Sequence, residues 1–292
     1  MDDGSRRENE SIYLQGDETV RKVAIIFMMT ISLVFLMGCT KAKPVANTHK
    51  VSSVAESHIV ETTKEIYEQA KITIEEENKI EFSIYYITAK CLNIRNNPNK
   101  DSDIVGKLIF GQTVNAYING EWAELEDGTY VSAEYLSNEE IPYTSYETPY
   151  SSGMKSYMPF NVGDRSIFSK SSNQYKLQEL CYTGNYGIRQ YKERYCVAIG
   201  SHFNTNIGQY FDLILENGVV IPCVMADQKA DCHTDSNNII TVSNGCMTEF
   251  VVDTTELYDD AKIMGDISYC IDEWKSRVVE IRVYEKNALC DD

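Results

Sequence analysis

Residues 84–137 read IYYITAKCLNIRNNPNKDSDIVGKLIFGQTVNAYINGEWAELEDGTYVSAEYLS, and this stretch decides the fold class. Short runs of β-branched and aromatic residues alternate with turn residues. NNPNKDSD (96–103) is a turn cluster, and FGQ (110–112) and NGE (119–121) fall where hairpins should reverse. TVNAYI (113–118) alternates with the period of a half-buried strand. Five short strands in under sixty residues predict a small barrel.

Outward from this segment, the totals set bounds. A chain of 292 residues holds about two domains at roughly 100–200 residues each. There are 20 tyrosines against 9 phenylalanines, a leaning toward strand-rich folds and sugar or peptide contacts. The net charge of −17 and the absence of a Lys/Arg cluster argue against nucleic acid as a partner. The nine cysteines form no C-x-x-C pair, so a structural zinc site is not expected, and no cofactor is implied. With Cys39 set apart as part of the N-terminal segment, eight remain; an even number outside a membrane allows disulfides, but sequence does not say which cysteines pair.

RKVAIIFMMTISLVFLMGCT (21–40) opens with Arg21 and Lys22, followed by sixteen uncharged, mostly apolar residues, Val23 to Gly38. As a helix the run spans about 24 Å, short of the roughly 30 Å hydrocarbon core. It suits the apolar region of a signal peptide. Leu36-Met37-Gly38-Cys39 resembles a bacterial lipobox. That resemblance implies cleavage before Cys39 and lipidation of its sulfur. A retained hydrophobic N-terminal helix is the alternative. Either arrangement places the rest of the chain outside the membrane, because the positive residues precede the apolar run. The polar residues ahead of Val20 exceed an ordinary leader, so translation from Val20 is a further expectation. Residues 1–39 are thus assigned as signal or membrane anchor and 40–83 as a flexible stalk, with Glu and Lys at helical spacing in ETTKEIYEQAKITIEEENKI (61–80).

The segment 84–137 resembles the bacterial SH3-like (SH3b) domain. Leu92-Asn93-Ile94-Arg95, Pro98, Val105-Gly106, Gly111, Trp122, Tyr130-Val131 and Tyr135-Leu136 fall in family order, although Asn97 stands where glycine is common. The resemblance implies a non-catalytic module that binds peptidoglycan peptides or tethers wall enzymes. Tyr117, Trp122 and Tyr130 are the candidate ligand-binding residues, since exposed aromatics offer flat faces to glycan or peptide. The competing assignment makes Trp122 and Val131 core, and gives Arg95 a local structural partner.

Residues 138–156 carry two prolines among many Ser, Thr and Tyr and read as an interdomain linker. Residues 157–286 form the C-terminal domain. Strands are expected at 195–200, 210–217, 219–226, 249–253 and 278–284, with a hairpin at Asn217-Gly218. Helices are expected at 172–180 and at 254–265, the latter capped by Thr254 and ended by Gly265. No βαβ rhythm appears, so a second β-barrel is the predicted architecture. YCVAIGSHFNTNIGQYFDLILENGVVIPCVMADQKA (195–230) resembles the double-psi β-barrel domains of rare lipoprotein A and the three-aspartate wall proteins. Gly208, Leu213, Asn217-Gly218 and Asp227 occupy family positions, while QKADCHTD replaces the family's glycine- and proline-rich continuation.

If that resemblance extends to chemistry, it implies lytic cleavage of glycan, with Asp227 as the acid. An apolar floor from VIPCVMA and a like-charged neighbour in Asp231 would raise its pKa. In an extended segment Asp231, His233 and Asp235 share one side and form a candidate metal set. The same composition also suits a solvated loop, in which Lys229 neutralises its neighbours. Separately, VSNGCMTEFVVDTTEL (242–257) resembles the nucleophile motif of L,D-transpeptidases. That implies Cys246 as thiolate and His233 as base, although Thr234 and Thr248 replace the family's glycine and arginine. The plain alternative is a hairpin thiol after Asn244-Gly245. His202 reads as a partly buried histidine at a strand end. The chain as a whole reads as a surface-anchored wall protein whose partners are peptidoglycan and the membrane.

Overall fold

The computed structural model describes residues 81–149, 151–203 and 206–290, with residues 61, 64, 65 and 67–69 of the stalk. Those stalk positions are helical. The segment Val23–Gly38, Cys39 and the expectations attached to them lie outside the described residues. Among the described residues no helix is long and apolar enough to cross a membrane. The fold is mainly β.

The first sheet has seven strands where five were expected: β1 (Ser83–Ile87), β2 (Cys91–Arg95), β3 (Ile104–Ile109), β4 (Thr113–Asn119), β5 (Trp122–Leu125), β6 (Tyr130–Ser132) and β7 (Leu136–Ser137). They run β3-β2-β6-β5-β4-β1-β7, every pairing antiparallel. One tight helical turn, Ala133–Tyr135, precedes β7. Alternation points Ala116, Ala123, Leu125 and Val131 inward to meet Ile87 and Leu92, and these six form the core. Arg95 donates to the carbonyl of Ser102 at 2.6 Å, the local partner expected of it.

The second sheet is built from β8 (Tyr143–Glu147), β9 (Ser156–Pro159), β12 (Tyr182–Thr183), β13 (Arg189–Tyr191), β14 (Arg194–Ile199), β15 (Gln209–Leu215), β16 (Val220–Gln228), β17 (Glu249–Val252) and β18 (Val278–Asn287). A two-stranded ribbon, β10 (Asn161–Val162) with β11 (Arg165–Ser166), stands beside it. The main path is β12-β13-β14-β16-β15-β18-β8, with β17 branching from β14 to carry β9. The Asn217-Gly218 hairpin forms as expected between β15 and β16. Gly218 takes the left-handed φ of +86° that a side chain resists. Two pairings are parallel, β14 with β16 and β9 with β17, and no periodicity announces them.

Two expectations need correction. Residues 138–156 are not a linker throughout: Tyr143–Glu147 pairs along β18 as an edge strand, bracketed by Pro142 and Pro149. An edge strand tolerates such neighbours because one side of its backbone is unpaired. The helix expected over 254–265 is only α2 (Asp259–Met264). Asp253 Oδ1 accepts from Thr255 N at 3.0 Å and from its hydroxyl at 2.7 Å, closing a turn where the helix should have begun. Gly265 ends α2 in the left-handed conformation, as expected. The other helix is α1 (Asn173–Glu179), capped by Ser172, which accepts from Tyr175 N.

Residues 80–292 form one compact unit. Phe110, in the FGQ turn of the first sheet, is 7% exposed and sits edge-on to Tyr210 and Tyr284, with ring centroids 5.6 and 5.4 Å away. Its carbonyl accepts from Arg194 Nη2 at 2.7 Å. Arg194 is fully buried. Its Nη1 donates to Asp212 Oδ1 at 2.8 Å and to the carbonyls of Phe211 and Cys223, each at 3.0 Å. Tyr284 donates to the other Asp212 oxygen at 2.8 Å.

Lys155 is a second buried cation. Its ammonium is caged by the carbonyls of Gly153, Trp274 and Ser276. Burial lowers its pKa from the ordinary 10.5 to about 8. Between those values the unfolded chain holds the proton and the folded chain does not. This group therefore makes the fold more stable as pH rises from about 8 toward 10.5. The thiols of Cys196 and Cys223, pushed up by burial, tilt stability the opposite way. Comparison with Lys155→Met cancels them. The stability of wild type relative to that variant is expected to climb by at most about 3 kcal/mol over the window. Urea melts at a series of pH values check it, and a flat difference refutes it.

Candidate functional site

Two groups of residues qualify as sites. The first lies on the outer face of the first sheet. Across β4, β5, β6 and β2, Tyr117 pairs with Glu124, Glu124 with Tyr130, and Tyr130 with Arg95. Directly opposed residues share a face, so these four form one row. Trp122 sits opposite Asn119 and Ser132, two residues from Glu124, and so on the same face. The three aromatics expected to bind ligand are thus on one side, each half-buried. Val131 is core, as the competing assignment had it, but Trp122 is not: Ala123 and Val131 fill the opposite face. Trp122 stands between two grooves of about 510 and 440 Å³ that share Lys100, Ser132 and Glu134 along their walls. The larger groove adds Ile118, and the other adds Arg95 and Tyr135.

The second group is the acidic cluster. Asp227 lies near the end of β16, after the buried run of Cys223, Val224, Met225 and Ala226, whose side chains alternate between two core clusters on opposite faces of the strand. Its Oδ1 accepts from the Gln174 amide on α1 at 3.1 Å. Its Oδ2 takes no hydrogen bond from any described residue. Gln174 was not singled out from sequence, because 53 residues separate it from its partner.

The rest of the cluster does not converge on Asp227. Asp231, Cys232 and His233 form a tight helical turn rather than an extended run, and all three are exposed. Asp231 Oδ1 accepts from Ser201 Oγ at 2.8 Å and from Gln228 Nε2 at 3.5 Å, and not from the Gln174 amide that holds Asp227. Asp235 Oδ1 accepts from the backbone N–H groups of Ile239 at 2.7 Å and Ile240 at 3.0 Å. These bonds hold its carboxyl below the ordinary range. The shared side foreseen for Asp231, His233 and Asp235 depended on an extended segment, and the turn removes it. Among the described residues no three His, Cys, Asp or Glu side chains come together as a metal site. Lys229 does not neutralise these aspartates. It turns inward, buried, toward Thr241 Oγ1, the Cys246 carbonyl at 3.3 Å and Glu249 at 3.5 Å.

Cys246 and His233 are not joined as thiolate and base. The Cys246 thiol is buried and donates to the Met154 carbonyl at 3.3 Å, while His233 is exposed. Burial raises the Cys246 pKa, opposite to the lowering an activated nucleophile needs. His202 is exposed rather than partly buried, and stacks edge-on against Phe203 and Tyr146.

Comparison with protein-family models, with curated proteins and with solved structures finds no match to this chain.

Proposed function

We propose that this chain is a wall-binding envelope protein, anchored outside the membrane through its segment ending at Cys39, whose residues 84–137 form an SH3b-type module for peptidoglycan peptide. The observation that carries this reading is the row of Tyr117, Trp122 and Tyr130 on one outer face, with Trp122 between two grooves. Flat aromatic faces bind amide and sugar rings with little entropy lost. Glu134 and Lys100 in the groove walls offer opposite charges to the amine and carboxylate of a stem peptide. The strand order, with its tight turn before β7, and the resemblance carried by Leu92-Asn93-Ile94-Arg95, Gly111, Trp122 and Tyr130-Val131 support the module assignment.

A titration of the purified chain with soluble stem peptide, followed by heteronuclear shifts, tests it. Shifts are expected to cluster on β4–β6, and Trp122→Leu is expected to weaken binding by about ten-fold or more, as loss of a central aromatic anchor does. Saturable shifts elsewhere, or none, would exclude the face.

A second reading, glycan cleavage with Asp227 as acid in a double-psi-like C-terminal barrel, is favoured by the buried apolar strand that carries Asp227 and by an Oδ2 that takes no hydrogen bond from any described residue. Zymography on purified peptidoglycan tests it separately. Wild type would clear the gel and Asp227→Asn would lose at least about 100-fold of that activity. An uncleared wild-type lane leaves the binding reading alone.

A further inference from the structure

We infer that Cys181 and Cys196 are a cross-linking site, joining into a disulfide when the chain meets a thiol oxidant. This goes beyond the wall-binding reading and does not depend on it. The two sulfurs lie 3.3 Å apart, without a bond, 15 residues apart in sequence. Cys181 lies two residues past the end of α1, and its thiol also contacts the Leu177 carbonyl at 3.1 Å. Cys196 is in β14, wholly buried in the cluster that contains Leu177, Tyr210 and Val224. The pair therefore spans the seam between α1 and the sheet, and a bond there needs the sulfurs to close by little more than 1 Å from their present separation.

Arg189 holds the same seam by non-covalent means. Its Nη2 donates to the carbonyls of Gln178 at 2.8 Å and Cys181 at 2.9 Å, and its Nε to Gln178 Oε1 at 3.0 Å. The guanidinium thus fixes Cys181 opposite its partner. Cys181 is half-buried and reachable, whereas Cys196 is fully covered, an arrangement that sets the order of events.

With oxidised glutathione as oxidant, the Cys181 thiolate attacks one sulfur of the small disulfide. A Cys181–glutathione bond forms and one glutathione leaves as thiolate. Cys196 then gives up its proton as its sulfur attacks Cys181 Sγ, that mixed bond breaks, and the second glutathione leaves. Two protein thiols are oxidised, one glutathione disulfide is reduced to two thiols, and the leaving thiolates take up the two protons. The consequence reaches Asp227. Helix α1 carries Gln174 onto that carboxylate, and β14 pairs with β16, which carries Asp227. The cross-link fixes the helix, and with it the amide, over the acid.

Oxidation of the purified chain with oxidised glutathione, alkylation of remaining thiols and peptide mapping test the proposal. The expected product is an intramolecular peptide pair joining Cys181 to Cys196, lost on reduction. Its formation should raise Tm by about 6–12 °C, from closing a loop of this length in a unit of this size. Cys181→Ser should abolish both the linked pair and the rise. Recovery of Cys181 and Cys196 as alkylated thiols after oxidation overturns the proposal. So does Cys181 linked instead to an exposed cysteine, Cys232 or Cys290. If the serine variant does not fold, the wild-type map decides alone.

Discussion

Arg194→Ala is expected to destabilise the 80–292 unit by about 3–5 kcal/mol, the range for breaking a buried ion pair by removing one partner. Arg194 is 1% exposed and donates to four acceptors, among them Asp212 and the Phe110 carbonyl. Its guanidinium also lies 4.7 Å from the centre of the Tyr210 ring. Without it, the Asp212 carboxylate keeps only the Tyr284 hydroxyl, and three backbone carbonyls lose a buried donor. Urea melts read the loss. The double variant Arg194→Met with Asp212→Leu is expected to recover much of it, because removing both charges leaves no buried ion unpaired. A single variant as stable as wild type would mean that solvent enters the seam.

Phe110→Ala carries the second large effect, about 3–5 kcal/mol for truncating a buried phenylalanine. Its distinctive consequence is loss of coupling. The ring belongs to the core cluster that holds Leu177, Tyr191 and Tyr210, although its chain segment belongs to the first sheet. Gly111 beside it packs so closely that an added Cβ would lie 3.3 Å from the Tyr284 hydroxyl. Wild type is expected to unfold in one calorimetric transition, and Phe110→Ala in two, as the first sheet with its six buried core residues melts first. One transition in the variant would show that other contacts carry the coupling.

Much of the fold was legible because local signals agreed. TVNAYI alternates and becomes β4; Asn217-Gly218 turns between apolar runs and becomes a hairpin. Strand β8 was not legible. Its TSYE composition between prolines is that of a linker, and only pairing with β18, more than 130 residues on, orders it. The join between the two sheets was hidden for the same reason, since Phe110 and Arg194 are 84 residues apart. At the aromatic face, residue type was enough to single out Tyr117, Trp122 and Tyr130, but the register of β4, β5 and β6 is what puts them on one side. At the acidic cluster it was not. Nine residues crowded with charge say nothing of direction, and the tight turn at Asp231–His233 sends Lys229, Asp231 and Asp235 to three different partners. Gln174, which does reach Asp227, comes from a distant helix.

The central claim is that the Tyr117, Trp122 and Tyr130 face engages the wall, and co-sedimentation with purified sacculi tests it most directly. Wild type and Asp227→Asn are expected in the pellet alike, while Trp122→Ala with Tyr130→Ala stays in the supernatant with its affinity down by about 100-fold, as two lost aromatic anchors imply. Wild type left in the supernatant, or the double variant pelleting as wild type does, would contradict the account.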